Sequence, residues 1–144
     1  MKKLILSLSL LAFSGVLEAS PQALATTTEN ELSATHQTAI GPWRLIGING
    51  ETPKHKSLIQ IAQNNIYGDT GCNRFFAQII TFEKNTLELT SISNTRMGCS
   101  ITQAAQEAII LNTLEEGVSI VYDRVSELLT IRGQNNTLIY ASVK

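Results

Sequence analysis

Apolar and polar side chains alternate in short runs through most of the chain after residue 41. A two-residue period is typical of strands buried on one face, and turn-forming pairs such as Asn49-Gly50 and Asn64-Asn65 separate the runs. Hairpin-length links of this kind favour antiparallel pairing. The pattern predicts strands at residues 43–48, 56–62, 75–82, 86–92, 118–122, 128–132 and 137–141, with a further one beginning at residue 66.

One segment between the strands follows a helical period instead. Ser100 followed by Gln103 resembles a capping box, which satisfies the free N–H groups of a first helical turn. Gly117 provides a left-handed stop, and between the two lies an apolar stripe made of Ala104, Ala108, Ile110, Leu111 and Leu114. Together the elements predict a mainly β (α+β) fold, a curved antiparallel sheet or small barrel-like structure with one helix packed on it.

The first 40 residues lack the strand pattern and predict an export signal followed by a lead-in. Lys2 and Lys3 precede an apolar run at residues 4–13, and Ala23-Leu24-Ala25 is typical of a signal-peptide cleavage site. The run is shorter than the roughly 20 residues that cross a bilayer, and a buried N-terminal helix is the alternative. Residues 1–25 are thus predicted as a signal peptide, 26–40 as a flexible lead-in and 41–144 as the folded domain. We expect an exported, periplasmic protein that is soluble after cleavage, with no integral membrane segment.

Composition and charge exclude several classes of function. The net charge is −1 and no run of lysine or arginine occurs, so a nucleic-acid partner is not expected. His36 falls in the lead-in and His55 in a turn, so the sequence predicts no metal site. No motif brings a nucleophile, a base and an orienting acid together. We therefore predict a protein that is not an enzyme, with no catalytic residues and no cofactor.

Cys72 and Cys99 are the two cysteines of the chain. An even number of cysteines in an exported protein favours a disulfide. Closing the loop between them would stabilise the fold by roughly 3–4 kcal/mol through the unfolded chain. A redox-active pair is the alternative, because Cys99 lies just before the predicted helix, whose N-terminus can stabilise a thiolate. Their separation along the chain favours the structural bridge over the redox pair.

Two motifs that contain these cysteines resemble the signatures of a known family. Residues 68–75 (GDTGCNRF) match the pattern G-x-x-G-C-N-x-F, and residues 95–99 (TRMGC) match T-R-M-x-C. Trp43-Arg44-Leu45 is similar to a W-x-L opening. From residue 41 to the C-terminus the chain thus resembles the META domain family, which contains the HslJ heat-shock proteins. The resemblance implies a compact antiparallel β domain with a helix, in bacterial envelope proteins of which some are induced by heat. Ala77 and Ile79 depart from the family pattern, where glycine and an aromatic residue are common.

The motifs also contain the candidate binding residues, Asn73, Arg74 and Arg96. A bridge between the cysteines would bring Arg74 and Arg96 near each other, where they could receive a carboxylate or a phosphate. In the structural alternative Asn73 caps a tight turn, while the arginines pair with carboxylates such as Asp69 or Glu83, or with carbonyls. The sole tryptophan, Trp43, is a core anchor in one interpretation and a binding surface in the other.

Three functional hypotheses follow from these observations. The first is a non-enzymatic exported protein of the envelope or heat-stress response, which acts by binding a protein or small-molecule partner. The second is a binding module that holds an apolar small molecule in the mouth of a small barrel. The third is a thiol-active redox protein that uses Cys72 and Cys99. A monomer is expected in each case.

Overall fold

The computed structural model describes residues 34–144. The predicted signal peptide and the first part of the predicted lead-in lie outside these residues. The elements in chain order are α1 (Ala34–Ala39), β1 (Gly41–Ile48), β2 (Leu58–Ile61), β3 (Asn65–Asp69), β4 (Arg74–Glu83), β5 (Thr86–Leu89), β6 (Ser93–Asn94), α2 (Ile101–Glu115), β7 (Val118–Asp123), β8 (Leu128–Arg132) and β9 (Thr137–Ser142). Within this part of the chain, neither helix has both the length and the apolar character that crossing a membrane requires.

Eight of the strands form a closed antiparallel barrel, which confirms the predicted fold class. The strand order is β3-β2-β1-β9-β8-β7-β5-β4, and pairing of β3 with β4 closes the ring. The two-residue strand β6 pairs with the start of β4, where Phe75 lies opposite Asn94. Closure leaves the eight strands no free edges along most of their length, because each has a neighbour on both sides.

Inward-facing side chains of the strands fill the barrel with a hydrophobic core. β1 shows the alternation clearly, with Trp43 and Leu45 buried and Arg44 and Ile46 exposed. Trp43 is 3% exposed and its ring packs edge-on against Tyr122, so it is a core anchor and not a binding surface. The largest side chains with less than 2% solvent exposure include Tyr140, Ile59, Ile61, Ile66, Leu87, Ile120, Leu129, Ile131 and Leu138.

The folded unit begins before the predicted start at residue 41. Residues 34–39 were predicted as part of a flexible lead-in, but they form α1, in which His36 and Ala39 are buried. His36 lies 3.0 Å from the Ala62 carbonyl oxygen, and its ring contacts Phe82 with centroids 4.5 Å apart. Trp43 Nε1 donates to the Ala39 carbonyl oxygen at 2.7 Å. These contacts place α1 at the barrel end that holds the β2–β3 turn.

Helix α2 lies at the opposite end of the barrel and buries a different face from the predicted one. The capping box of Ser100 and Gln103 is present, which confirms the predicted start. Ala104 and Ala108, however, are exposed, and the buried residues are Gln106, Ile110, Thr113 and Leu114. The predicted stripe is therefore wrong in part, because polar side chains that find hydrogen-bond partners can occupy a buried helix face.

The Tyr140 side chain is an exception among the buried polar groups. It has no solvent exposure, and its hydroxyl has no hydrogen-bond partner within residues 34–144. Burial raises the pKa of Tyr140 far above its usual value, and the negative charge of Asp69 raises this pKa further. The hydroxyl thus carries a desolvation cost without a compensating hydrogen bond.

Replacing Tyr140 by phenylalanine is expected to raise the free energy of unfolding by about 1 kcal/mol, because it removes that cost and keeps the ring. Urea unfolding followed by circular dichroism measures the change. A Y140F variant that is less stable than the wild-type protein would show that the hydroxyl makes a stabilising hydrogen bond in solution.

Candidate functional site

The two signature motifs meet at the end of the barrel covered by α2. Residues 70–73 form the turn between β3 and β4, and residues 95–99 lead from β6 into α2. A disulfide joins Cys72 to Cys99 with their Cα atoms 5.9 Å apart, a distance usual for such bridges. The disulfide predicted from the cysteine count is therefore present, and it links the two motifs directly.

The side chain of Asn73, in the first motif, uses all of its hydrogen-bonding groups. It is 3% exposed, and its Nδ2 donates to Glu107 Oε1 at 2.9 Å and to Cys99 Sγ at 3.5 Å. Its Oδ1 accepts from Met97 N at 2.7 Å and from Thr95 Oγ1 at 3.0 Å. Two donors and two acceptor positions are all that an amide offers. Asn73 therefore has no capacity left for a ligand, and it fastens the second motif to the first.

Glu107 of α2 is a site residue that the sequence patterns do not predict. Its Oε2 accepts from Thr70 Oγ1 at 2.6 Å and from Asn73 N at 3.1 Å, in addition to the bond from Asn73 Nδ2 to Oε1. The half-buried carboxylate forms no ion pair with any residue in 34–144; the salt bridge in this part of the chain joins Lys144 to Glu127. Neutral donors alone compensate its charge, and these donors come from the first motif.

Two glutamines of α2 complete the attachment of the helix. The Nε2 of the buried Gln106 donates to the carbonyl oxygens of His55 and Thr70, both at 2.9 Å, and its Oε1 accepts from His55 N at 3.1 Å. Gln103 Nε2 donates to the Gly71 carbonyl oxygen at 3.1 Å. We name this hydrogen-bonded set the α2 latch; it consists of Thr70, Gly71, Asn73, Gln103, Gln106 and Glu107.

The glycines of the first motif are explained by close contacts. Gly71 has a φ of +94°, a left-handed conformation that strains other residues. A Cβ atom there would also lie 2.8 Å from both Gln106 Nε2 and His55 Cβ. At Gly68, which lies opposite Ile59 in the β2–β3 pair, a Cβ atom would overlap the Leu58 carbonyl oxygen. Gly68 thus permits strand pairing, and Gly71 permits the latch.

Arg74 and Arg96 lie on the surface beside the latch. The backbones of Arg74 and Thr95 are joined by Thr95 N donating to the Arg74 carbonyl oxygen at 2.9 Å, so the two arginines occupy adjacent segments. Both side chains are exposed, and within residues 34–144 neither forms a salt bridge with Asp69 or Glu83. Asp69 Oδ1 instead accepts from Gly71 N at 3.1 Å. The two arginines therefore lie on adjacent exposed segments, and neither lines the cavity between α2 and the β1–β2 loop.

A cavity of about 290 Å³ separates α2 from the β1–β2 loop, residues 49–57. We name it the α2 groove; it is lined by Ile48, Asn49, Glu51, Thr52, Pro53, Lys54, Ile101, Thr102, Ala105, Gln106 and Ile109. Ile101, Ala105 and Ile109 follow one another at intervals of four and form an apolar wall on the helix. Ile101 is 90% exposed. Since Gln106 binds the loop backbone at His55, the latch fixes both walls of the groove.

A comparison with protein families gives these motifs an identity. The model of the META domain matches residues 36–144, which is most of the chain. The chain belongs to the META domain family. The match begins inside α1, so it includes the last four residues of the first helix. No curated protein matches the sequence.

Two solved structures share the fold of this META domain. One is an NMR structure that is 22% identical and has a TM-score of 0.64; the match covers 77% of this chain and 96% of that one. The other is an NMR structure of a protein from Burkholderia xenovorans, 19% identical with a TM-score of 0.63, covering 77% of this chain and 87% of that one. At such identities the similarity establishes the fold alone.

In this META domain the signature residues therefore have largely structural roles. Cys72, Asn73 and Cys99 bind one another or α2, and the two glycines permit close contacts, whereas the exposed Ile101 lies in the neighbouring groove. The four-residue spacing of Ile101, Ala105 and Ile109 could have predicted an apolar wall on the helix, and hence the groove, from the sequence. The sequence feature that could have identified Glu107 as a site residue is its position four residues after Gln103, on the same face of the helix.

Proposed function

We propose that this META domain is a non-enzymatic binding domain that acts outside the cytoplasm in an envelope or heat-stress response. Its ligand contributes an apolar group that occupies the α2 groove. The observation that carries the proposal is the groove itself, which exposes an apolar helix wall beside a loop anchored by hydrogen bonds.

The size and lining of the groove favour a small apolar group. Its volume of about 290 Å³ lies at the lower end of the range for small-molecule pockets. The apolar side chains of Pro53, Ile101 and Ile109 would lose contact with water when it is filled, and that burial favours binding by roughly 25 cal/mol per Å². Lys54 and Glu51 lie at the same site and provide charges that could orient a polar end of the ligand. The occupied site is thus a groove beside the helix, while the barrel interior remains a packed core.

The hydrogen bonding of the latch supports a role in binding over a role in catalysis. Asn73 uses all of its side-chain hydrogen-bonding groups within the protein, and the Glu107 carboxylate accepts three hydrogen bonds from Thr70 and Asn73. A general acid or base must instead reach the substrate with a free donor or acceptor. The proposal therefore assigns no chemical step to the latch.

Export is supported by two independent features of the chain. The Cys72–Cys99 disulfide is typical of oxidising compartments, and residues 1–25 have the pattern of a signal peptide. The stress-response setting rests on the resemblance to the HslJ heat-shock proteins. We expect periplasmic material to have the mass of a chain that lacks the first 25 residues, which intact-mass analysis measures.

Filling the groove tests the binding proposal. Ala105 lines the groove, whereas Ala104 is exposed on the same helix outside it. An Ala105→Trp variant is expected to lose at least about tenfold in affinity for apolar probes, because its ring occupies the ligand volume. If a small molecule co-purifies with the wild-type protein from the periplasm, native mass spectrometry is expected to show that the Ala105→Trp variant lacks it.

Ala104→Trp is the matched control, since it adds the same ring outside the groove. The proposal fails if both variants bind the naphthalene sulfonate probe ANS as the wild type does. It also fails if Ala104→Trp weakens the binding of ANS as much as Ala105→Trp, because the effect would then not arise in the groove.

A further inference from the structure

The Cys72–Cys99 disulfide lies beside a carboxylate that has no cationic partner in the described chain. The Sγ atoms of both cysteines and a carboxylate oxygen of Glu107 lie within 4.8 Å of one another, and all three residues are half-buried. We propose that the reduced form of the protein binds one zinc ion through Cys72 Sγ, Cys99 Sγ and Glu107. Disulfide and metal are then alternative occupants of one site. This inference is independent of the ligand of the α2 groove.

The three groups lie close enough for small side-chain movements to place them around a single small cation. Zinc binds thiolate sulfur at about 2.3 Å and carboxylate oxygen at about 2.0–2.2 Å in tetrahedral geometry. Ligand atoms of one zinc ion therefore lie within about 4 Å of one another. With the Cα atoms of Cys72 and Cys99 only 5.9 Å apart, side-chain rotation after reduction is enough to let both sulfurs reach one ion. Water fills the fourth position.

The charges at the site favour a divalent cation once the bridge is open. Cys99 directly precedes the N-cap of α2, and Asn73 Nδ2 donates to its sulfur at 3.5 Å. A helix N-terminus and an N–H donor both stabilise a thiolate. Two thiolates beside the Glu107 carboxylate would repel one another strongly in a half-buried position. A zinc ion removes this repulsion and binds its preferred soft ligands.

The α2 latch keeps the three ligands together when the disulfide is absent. Asn73 binds Met97 and Thr95 on one side and Glu107 on the other, and none of these bonds passes through the disulfide. Gln106 separately fastens the helix to the Thr70 carbonyl oxygen. The ligands therefore remain positioned in the reduced chain, and the hydrogen bonds to Glu107 orient its carboxylate as outer-shell contacts do in known metal sites.

Conversion of the disulfide form into the zinc-bound form requires a reductant, and a dithiol supplies the electrons and protons. The dithiol supplies two electrons and two protons to the S–S bond, which yields two cysteine thiols while the dithiol closes into its own disulfide. Zinc then displaces the two thiol protons into solvent. Renewed formation of the Cys72–Cys99 bond by an oxidant of the disulfide class, which takes up the two electrons, removes both sulfur ligands and releases the ion.

Cobalt and zinc titrations of the full chain test the proposal. The protein is reduced with dithiothreitol, desalted under argon and titrated with Co²⁺, whose thiolate complexes absorb by charge transfer. We expect one equivalent of Co²⁺ to bind the reduced protein and to be displaced by Zn²⁺, while the oxidised protein gives no such band. Glu107→Gln is expected to weaken zinc binding at least tenfold, and Glu115→Gln, an exposed position on the same helix, to leave it unchanged.

X-ray absorption of the zinc-loaded wild-type protein identifies the ligands without any variant. The proposal predicts two sulfur and two oxygen neighbours, whereas four sulfurs would mean that the ion joins two chains and would overturn it. It is equally overturned if the reduced protein takes up no metal, whether folded or unfolded. Equal zinc affinity of Glu107→Gln and the wild type would show that Glu107 is not a ligand, and would overturn the proposed three-residue site.

Discussion

Replacing Gly68 by alanine is expected to cost more than about 3 kcal/mol of stability, because the added methyl group has no room beside β2. Its carbon would overlap the Leu58 carbonyl oxygen and lie 2.8 Å from Ile59 Cα. Both contacts are with backbone, so no side chain can rotate away to relieve them. β2 and β3 would have to separate where Ile59 faces Gly68, and the barrel closes through this region. Guanidinium unfolding followed by circular dichroism measures the loss.

Gly98 provides the matched control for this substitution. It lies in the second motif, and a Cβ atom there would meet no other atom within 4 Å. Gly98→Ala is therefore expected to change stability by less than about 0.5 kcal/mol. A Gly68→Ala variant whose stability is within about 1 kcal/mol of the wild type would show that β2 and β3 do not approach each other as closely as described.

Removing the disulfide is expected to lower stability by roughly 3–4 kcal/mol. The two cysteines are 27 positions apart, so the bridge closes a loop of moderate length and restricts the unfolded chain accordingly. A Cys72→Ala, Cys99→Ala double variant shows the effect in guanidinium unfolding with EDTA present. The hydrogen bonds of the latch remain, so we expect this variant to fold.

Reduction of the wild-type protein provides an internal control for that measurement. Dithiothreitol with EDTA should lower the stability of the wild type to about that of the double variant, and should leave the double variant unchanged. A wild type that loses no stability on complete reduction would contradict a stabilising role for the bridge between Cys72 and Cys99.

The strands could be predicted because their information is local. Alternation along β1 and β8 follows directly from side chains pointing to opposite faces, and the observed Leu128–Arg132 has the predicted bounds. The prediction for residues 86–92 extends past the observed end of β5 at Leu89. β5 ends where its pairing with β4 ends, at Ile79 opposite Leu89, and that limit depends on the partner strand rather than on the local pattern.

The start of the fold could not be predicted in the same way. α1 has six residues, which is less than two helical turns, so no period is visible in its sequence. Its burial depends on His36 meeting Phe82 and on Trp43 donating to Ala39, and these are tertiary contacts. A polar threonine-rich segment thus contains a helix that packs on the barrel.

The orientation of α2 shows most clearly why the site needed the structure. Ala104 and Ala108 form one apolar line at helical spacing, and Ile101, Ala105 and Ile109 form another. Periodicity cannot show that neither line is the buried face, which contains Gln106, Ile110, Thr113 and Leu114. The latch decides the buried face, because Gln106 and Glu107 find partners only in the turn at Thr70 and in the loop at His55. Polar contacts between distant segments therefore set which apolar residues remain exposed in the groove.

A double-mutant cycle between Asn73 and Glu107 tests most directly that the signature residues hold α2 on the barrel. Two hydrogen bonds join this pair, at 2.9 Å from the Asn73 side chain and at 3.1 Å from its backbone N–H. Asn73→Ala would remove the first of them, while Glu107→Ala would remove both. Guanidinium unfolding of the two single variants and the double variant gives the coupling energy. We predict a stabilising coupling of at least about 1 kcal/mol, whereas losses that add within about 0.3 kcal/mol would contradict the latch.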